Sequence, residues 1–190
     1  MKTIKTKKII SVLVGEKLSG KEMVSKYLVK RYRFKSFRFS KIVVDILNRL
    51  HLPITRVNEM NLMGGLRERF GGGILAEVLK FRLEGTTGNK FVIDGLRHLG
   101  EYEILSKIPG FLLVYVTASL ATRFKRAKAR SEKVGEAHFN IEQFKREENL
   151  PTEVYIKRLG KKASIKLINE NTLGELYKQI ENKIISRYIK

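Results

Sequence analysis

A short glycine-containing stretch near the N-terminus, residues 9 to 22, constrains this chain more than any other feature. A run of apolar, β-prone residues, Ile9 to Val14, ends at Gly15, and Gly20 and Lys21 follow five residues later. A helix-like pattern begins immediately afterwards. A strand, a glycine loop and a helix in this order are typical of a phosphate-binding loop, in which backbone N–H groups and a helix N-terminus face the phosphate.

The residue types in this loop fit that chemistry, with one departure. Gly15 and Gly20 let the backbone turn with no Cβ in the way, and Lys21 adds a positive charge where a β- or γ-phosphate would lie. The position that usually carries a Mg²⁺-binding Ser or Thr is Glu22. An ordinary turn between a strand and a helix, with a surface lysine, is the alternative. The predicted nucleotide-binding residues are Gly15, Glu16, Lys17, Leu18, Ser19, Gly20, Lys21 and Glu22.

Composition limits the class of protein. A length of 190 residues with 43% hydrophobic residues predicts a single domain, 1–190, with a substantial core. The absence of cysteine excludes disulfides and thiolate metal sites. We see no stretch apolar enough to span a membrane and no signal-peptide core after the basic residues 1 to 8, so we expect a cytoplasmic protein without a membrane partner. The oligomeric state is left open.

The net charge of +20 has two interpretations. It could attract polyanions, either nucleic acid or phosphorylated small molecules, or it could be spread over solvated faces. The basic residues are scattered along the whole chain, and no nucleic-acid motif accompanies them. This distribution favours solvated charge together with phosphate ligands, and leaves nucleic-acid binding as the less favoured interpretation.

A second apolar run, residues 91 to 94, ends in Asp94 and is followed by Gly95, Leu96 and Arg97. An apolar strand that ends in Asp is the arrangement that delivers a carboxylate to Mg²⁺ beside a phosphate loop. A loop-capping Asp is the alternative.

Two further regions carry arginines. Residues 54 to 73 look irregular, with five glycines between 64 and 73 and with Arg56, Arg67 and Arg69 among them. This favours a pocket for an anionic acceptor over a solvated loop and helix face. Ser40 is a plausible N-cap for the helix that precedes this region.

Residues 123 to 150 form the second of these regions. Arg123, Arg126 and Arg130 share one face of a predicted helix, followed by a polar loop and a returning helix. Such a hairpin suits a small helical lid over phosphates, and a solvated charged hairpin is the alternative.

Apolar strands alternate with helices throughout, which predicts an α/β fold with a parallel sheet covered on both faces. Ile9 to Val14 is the expected central strand, and residues 111 to 116 are expected to form an interior strand. Ligands of such sheets bind at the carboxyl ends of the strands. The phosphate loop, Asp94 and the loop after residue 116 should therefore meet at one edge.

With these motifs the chain resembles the P-loop kinases of the nucleotide-kinase group. More narrowly, it resembles the dephospho-CoA kinase-like or deoxynucleoside monophosphate kinase-like family, often named "AAA family ATPase". The resemblance spans nearly the whole chain and implies the three-layer P-loop NTPase fold with a five-stranded parallel sheet. The motifs that carry it are Gly-Glu-Lys-Leu-Ser-Gly-Lys (15 to 21), Phe-Ser (39 and 40), Leu-Arg-Glu-Arg-Phe-Gly (66 to 71), Val-Ile-Asp-Gly-Leu-Arg (92 to 97), Val-Tyr-Val-Thr-Ala (114 to 118), the arginines 123, 126 and 130, and Ile-Asn-Glu-Asn-Thr-Leu (168 to 173).

The resemblance implies transfer of the ATP γ-phosphoryl group to a nucleotide-like acceptor, with ATP and Mg²⁺ as cofactors. By this analogy Lys21 and Asp94 are catalytic together with Arg126 and Arg130 of the lid. Asp94 would hold Mg²⁺ or orient the acceptor, and Glu22 would be a second metal ligand. The acceptor would be bound in the helical region 40–85 and by the strand-end arginine, through Ser40, Arg56, Arg67 and Arg97.

Two departures from the family pattern favour altered activity. Glu22 replaces a hydroxyl residue and would repel phosphates, and Lys41 stands where the family often has Asp, with Asp45 one turn away as a substitute. Three hypotheses therefore follow: a small-molecule kinase, a nucleotide-binding protein with weak or no transferase activity, and a nucleic-acid-associated ATPase. The acceptor could be dephospho-CoA, a deoxynucleoside monophosphate or a nucleoside.

Overall fold

A computed structural model describes residues 8–134, 140–147 and 153–189; for residues 130–134 and 147 it describes the backbone alone. Its centre is a five-stranded sheet in the order β2-β3-β1-β4-β5, in which every neighbouring pair is parallel. The central and interior positions predicted for the first and fourth strands are confirmed. The strands are β1 (Ile9–Val14), β2 (Lys35–Arg38), β3 (Lys90–Asp94), β4 (Phe111–Thr117) and β5 (Ile165–Ile168).

Helices follow the strands in the order that a parallel sheet requires. A π-helical turn at Glu181–Ile185 joins the last two helices. The helices are α1 (Lys21–Tyr32), α2 (Phe39–Arg49), α3 (Arg56–Phe70), α4 (Ile74–Glu84), α5 (Leu99–Leu105), α6 (Leu120–Val134), α7 (Ile141–Glu147), α8 (Ile156–Lys161), α9 (Leu173–Ile180) and α10 (Ser186–Tyr188).

The sheet has a buried core on each face, because successive strand side chains point to opposite sides. On one face Val12 and Ile93 pack with apolar residues of α2, α4, α5 and α8. On the other face Leu13 and Val92 pack with residues of α1 and α9. This confirms the predicted three-layer arrangement of helices on both sides of a parallel sheet.

The register of the sheet brings the ends of its central strands together. Leu13 of β1 pairs with Asp94 of β3, and Val14 pairs with Tyr115 of β4. The loops that leave β1, β3 and β4 therefore start at the same edge, as expected for the ligand-binding edge of such a sheet.

The glycine-rich region is more regular than predicted. Most of residues 54 to 73 forms the 15-residue helix α3, whose N-cap Thr55 accepts a hydrogen bond from the Asn58 backbone at 3.2 Å. Gly64 and Gly65 lie inside this helix with nothing within 4 Å of where a Cβ would stand. Glycine lowers helix propensity but does not forbid a helix that has a cap and packing partners, which explains the wrong prediction of irregular structure.

Two helix starts also differ from the sequence predictions. Ser40 is not an N-cap, because α2 begins at Phe39 and Arg38 occupies the cap position in extended conformation. Pro151 in the sequence predicts the start of a short helix that runs to Leu159, but α8 begins at Ile156, and residues 151 and 152 lie outside the described residues. Within the predicted lid, residues 123–150, α6 and α7 are described, whereas residues 135–139 and 148–150 lie outside the described residues.

No helix within the described parts of the chain combines the length and apolar character needed to cross a membrane.

A buried ion pair ties the helical region to the end of β3. Glu101 of α5 is fully buried, and its carboxylate accepts a hydrogen bond from Arg67 of α3 at 2.6 Å. Its second oxygen accepts hydrogen bonds from the backbone N–H groups of Arg97 and His98, at 3.3 and 3.2 Å. Glu101 thereby fixes the loop that carries Arg97.

We expect Glu101→Ala to lower the free energy of unfolding by about 3 kcal/mol, because it leaves the Arg67 guanidinium without its buried partner and two backbone N–H groups without an acceptor. Chemical denaturation would measure the loss. The matched control is Glu103→Ala, an exposed glutamate of the same helix, which should change stability by less than about 0.5 kcal/mol. Equal effects of the two substitutions would contradict the anchoring role of Glu101.

Candidate phosphate-binding site

The phosphate loop, Gly15 to Glu22, leaves the end of β1 and enters α1. The Lys21 ammonium folds back over the loop and donates hydrogen bonds to the carbonyl oxygens of Gly15 at 2.7 Å and Glu16 at 2.8 Å. Gly20 has a φ of +102°, and a Cβ there would lie 2.1 Å from the Asn169 amide nitrogen. The loop therefore requires glycine at position 20 for both conformation and space.

Two side chains brace this loop from outside. The Arg126 guanidinium donates to the carbonyl oxygen of Leu18 at 3.1 Å and to that of Asn169 at 2.8 Å. The Asn169 amide donates to the carbonyl oxygen of Ser19 at 2.9 Å. We did not predict a site role for Asn169. The available signal was its position directly after the last strand, at the same sheet edge as the loop.

A cavity of about 670 Å³ opens over the loop and brings several predicted site residues together. The predicted Lys21, Asp94, Arg97, Arg126 and Glu22 all line it. The full set of lining residues is Lys17, Leu18, Gly20, Lys21, Glu22, Met23, Asp94, Arg97, Arg126, Asn169, Asn171 and Leu173.

Asp94 has the properties of a metal-facing carboxylate. It stands at the end of β3, and its Oδ1 atom is buried without a hydrogen-bond partner among the described residues. Carboxylate oxygens are preferred Mg²⁺ ligands, and Mg²⁺ in such sites is commonly held by one or two carboxylates together with substrate phosphates. No cluster of three or more His, Cys, Asp or Glu suited to a metal occurs in the described ranges.

Glu22 is less well placed for that metal. Its carboxylate forms an ion pair with Lys26 at 2.8 Å on the outer surface of α1, where the Glu22 side chain is 56% exposed. Binding of Mg²⁺ by Glu22 would require exchange of this ion pair. Ser19 is the loop's hydroxyl residue; its Oγ is buried and lacks a hydrogen-bond partner in the described part of the chain.

Burial shapes the electrostatics of the site. It lowers the pKa of Lys21 to about 8, assisted by the positive charge of Arg97 and opposed by Asp94 and Glu16. The pKa of Arg97 is also lowered, first by burial. The cavity therefore concentrates positive charge that lacks full solvation, which favours an anionic ligand.

Glu16 is not among the residues that line the cavity, although its charge acts on Lys21. Its carboxylate accepts a short hydrogen bond from the Tyr115 hydroxyl, and burial followed by this bond raises the pKa of Tyr115 to about 12.

The predicted acceptor residues divide into two groups. Arg97 lines the cavity, whereas Ser40, Arg56 and Arg67 lie outside its lining. Ser40 is exposed on α2, and Arg67 is committed to Glu101. Arg56 is close enough to lower the pKa of Arg97 by charge repulsion.

Asp45, the substitute considered for the acceptor-site Asp, accepts hydrogen bonds from Lys41 at 2.7 Å and Arg82 at 3.1 Å. It lines a separate cavity of about 510 Å³ between α2 and α4. The structure therefore does not place Asp45 in the cavity above the phosphate loop.

The arginines of α6 have different environments. Arg123 is buried and donates to the Ala118 carbonyl oxygen at 3.0 Å, and its guanidinium lies 5.7 Å from the ring of Phe144 in α7. Arg126 braces the loop as described above. Arg130 belongs to α6, but its side chain lies outside the described residues, so its predicted role stays a prediction.

Comparison with known proteins yields limited sequence similarity. No protein-family model matches the chain. A UPF0200 protein of Methanothermobacter thermautotrophicus is 36% identical over 66 residues, which are 34% of this chain and 35% of that protein. A UPF0200 protein of Methanoculleus marisnigri is 33% identical over 82 residues, which are 42% of this chain and 44% of that protein. The matched stretch thus covers less than half the length of each of these relatives.

Solved structures match along almost the whole chain. Shikimate kinase from Acinetobacter baumannii, in complex with shikimate, superposes with a TM-score of 0.63 at 15% identity and covers 97% of both chains. Shikimate kinase from Aquifex aeolicus has a TM-score of 0.59 at 18% identity and covers 94% of this chain and 97% of that one. Dephospho-CoA kinase from Campylobacter jejuni has a TM-score of 0.55 at 18% identity, with 94% and 96% covered. The chain therefore has the fold of the P-loop kinases.

The lowered pKa of Lys21 predicts pH-dependent nucleotide binding. Because the free site loses the lysine proton as the pH rises through about 8, ATP affinity should fall at least about tenfold between pH 7.5 and 9.5. Calorimetric titration across this range would measure the change, and Lys21→Arg is the matched control because arginine stays charged. A pH dependence that persists unchanged in Lys21→Arg would show that another group is responsible.

Proposed function

We propose that this protein is an ATP-dependent kinase that transfers the γ-phosphoryl group to a small, nucleotide-like acceptor, a deoxynucleoside monophosphate or dephospho-CoA. The observation that carries the proposal is one shared cavity over the phosphate loop. Lys21, Asp94, Arg97 and Arg126 come from three different parts of the chain, since Asp94 and Arg97 belong to the same segment after β3, and they line the cavity together. Its volume of about 670 Å³ is within the range of small-molecule sites.

The side chains in this cavity have separate tasks in such a reaction. The loop N–H groups and the N-terminus of α1 would hold the β- and γ-phosphates, and Lys21 would exchange its two carbonyl partners for phosphate oxygens. Arg126 would keep the loop in shape through Leu18 and Asn169 while its charge faces the cavity. Catalysis of phosphoryl transfer depends mainly on such positioning and charge stabilisation.

Asp94 would hold Mg²⁺ through its buried Oδ1, and Glu22 could contribute only after releasing Lys26. When bound, Mg²⁺ would neutralise negative charge on the β- and γ-phosphate oxygens. Because Asp94 and Arg97 are three residues apart in one loop, the same element would serve both the metal and the acceptor.

The acceptor side of the proposal depends on Arg97. Its guanidinium lines the cavity, partly desolvated, beside Lys21 and Asp94. An arginine in this setting suits bidentate recognition of an anionic group, such as the phosphate of a deoxynucleoside monophosphate or of dephospho-CoA. Shikimate kinase and dephospho-CoA kinase, which share the fold, support a small-molecule acceptor.

The Glu22–Lys26 ion pair favours a second candidate, a nucleotide-binding protein with weak or no transferase activity. A carboxylate stands where a Mg²⁺-binding hydroxyl is usual, and it is held at the helix surface by Lys26. Close to the phosphates it would add repulsion without adding a metal ligand. The two candidates differ in one observable property, phosphoryl transfer to an acceptor.

We expect Lys21→Ala to reduce ADP formation at least about 100-fold, because it removes a charged donor to the transferring phosphates. The assay would couple ADP release to a panel of deoxynucleoside monophosphates, nucleosides and dephospho-CoA. Lys30→Ala, at an exposed position in the last turn of the same helix, is the matched control and should retain activity. Folded wild-type protein that forms no ADP with any acceptor would reject the kinase and leave the second candidate.

We expect Glu22→Ser to tighten Mg²⁺-dependent ATP binding by about tenfold, because it removes a negative charge and restores a hydroxyl ligand. Calorimetric titration with and without Mg²⁺ would measure the change. Glu22→Gln separates the two causes, since it removes the charge without adding a hydroxyl group. Loss of the Mg²⁺ effect in Glu22→Ser would instead assign Glu22 to the metal site.

A further inference from the structure

We infer that Glu153 is an internal occupant of the acceptor's anion subsite: its carboxylate sits on Arg97 and must be displaced by the anionic group of the acceptor. This inference rests on the proposed function, in which Arg97 binds that group. Because an acceptor must compete with the Glu153 carboxylate for Arg97, Glu153 would select acceptors that carry a strongly charged group, such as a phosphate monoester.

The contact itself is direct. The Arg97 Nη1 atom forms an ion pair with Glu153 Oε1, and both side chains are largely shielded, at 30% and 15% exposed. Arg97 lines the cavity over the phosphate loop, so Glu153 holds a guanidinium that faces the candidate site. Glu153 lies far from Arg97 in sequence and contacts it from the turn that precedes α8.

The fold fixes this turn in place. The Glu153 carbonyl oxygen accepts a hydrogen bond from the Ile156 backbone at 3.1 Å, and the side chains of Ile156 and Leu159 are buried in the core. The ring of Tyr155 packs edge-on against His98 at 5.3 Å, beside the loop that carries Arg97. Glu153 is therefore presented to Arg97 by anchored elements on both sides.

The other charges around Arg97 do not take over this contact. Glu101 is committed to Arg67 and to the backbone N–H groups of Arg97 and His98. Asp94 acts on Arg97 as a nearby negative charge, while Arg56 and Arg67 repel it. Removal of Glu153 would therefore take from the Arg97 guanidinium the carboxylate with which it forms its ion pair.

Competition follows from this arrangement. A carboxylate tethered next to Arg97 has a high effective concentration, so a soluble anion must displace it before it can bind. Displacement of Glu153 weakens the binding of every anion at Arg97 by the same factor. Monoanions that bind weakly to begin with would then not occupy the site. A phosphate dianion, with more charge and three acceptor oxygens, has the strongest means of overcoming that cost.

The test is calorimetric titration of inorganic phosphate in a Lys21→Ala background, which removes the phosphate-loop lysine so that binding at Arg97 is measured. Glu153→Gln should tighten phosphate binding about tenfold, the effect of removing one competing charge-assisted hydrogen bond. Glu77→Gln makes the same change of net charge at an exposed glutamate near Lys80 and should leave the affinity within about twofold. Adding Arg97→Ala to Glu153→Gln should abolish the gain.

Equal phosphate affinity with and without Glu153→Gln would overturn the inference, as would a gain that survives Arg97→Ala. Glu153→Asp provides a second variant, because it retains the charge on a side chain one methylene shorter and should give a smaller gain than Gln. The proposed function is judged separately, by binding and turnover of ATP in the otherwise wild-type protein. A gain in phosphate affinity without ATP turnover would keep the inference about Arg97 and reject the kinase.

Discussion

Backbone hydrogen bonding between β1 and its two parallel neighbours fixes where the charged groups of the candidate site lie. The register pairs Leu13 with Asp94 and Val14 with Tyr115, so the phosphate loop, the Asp94 loop and the end of β4 start at one edge. A slip of one residue in β3 would turn Asp94 toward the opposite face of the sheet. Because both faces of the sheet are packed with apolar side chains, such a slip would expose core residues and is strongly disfavoured.

Much of this arrangement could be predicted from the sequence. Buried parallel strands are continuous apolar runs, and a glycine loop with a lysine after the first run is typical of phosphate binding. The fold, the loop and the position of Asp94 at a strand end could therefore be predicted from the sequence. The helix α3 could not be predicted in this way, because its glycine content indicates irregular structure, whereas the N-cap at Thr55 and packing against other helices stabilise the helix. Contacts between distant residues, such as Asn169 with Ser19 and Glu153 with Arg97, leave no periodic signal and needed the three-dimensional structure.

Paired charges recur both in the candidate site and away from it. Arg97 pairs with Glu153, Arg67 with Glu101, and Asp45 with Lys41 and Arg82. A chain with a net charge of +20 nevertheless places carboxylates against several of its cations, Arg97 of the cavity among them. Its excess positive charge is scattered along the sequence. Ion pairing of this kind lowers the energetic cost of burying a cation. An anionic ligand that binds such a cation must displace the paired carboxylate.

The measurement that tests the account most directly is titration of ATP, with and without Mg²⁺, into wild-type protein and Asp94→Asn. If the loop and Asp94 form one metal-assisted phosphate site, Mg²⁺ will strengthen ATP binding to the wild type and will have little effect on Asp94→Asn, which should still bind ATP through the loop. An equal Mg²⁺ effect in both proteins would contradict that account, because Asp94 would then have no part in the metal site.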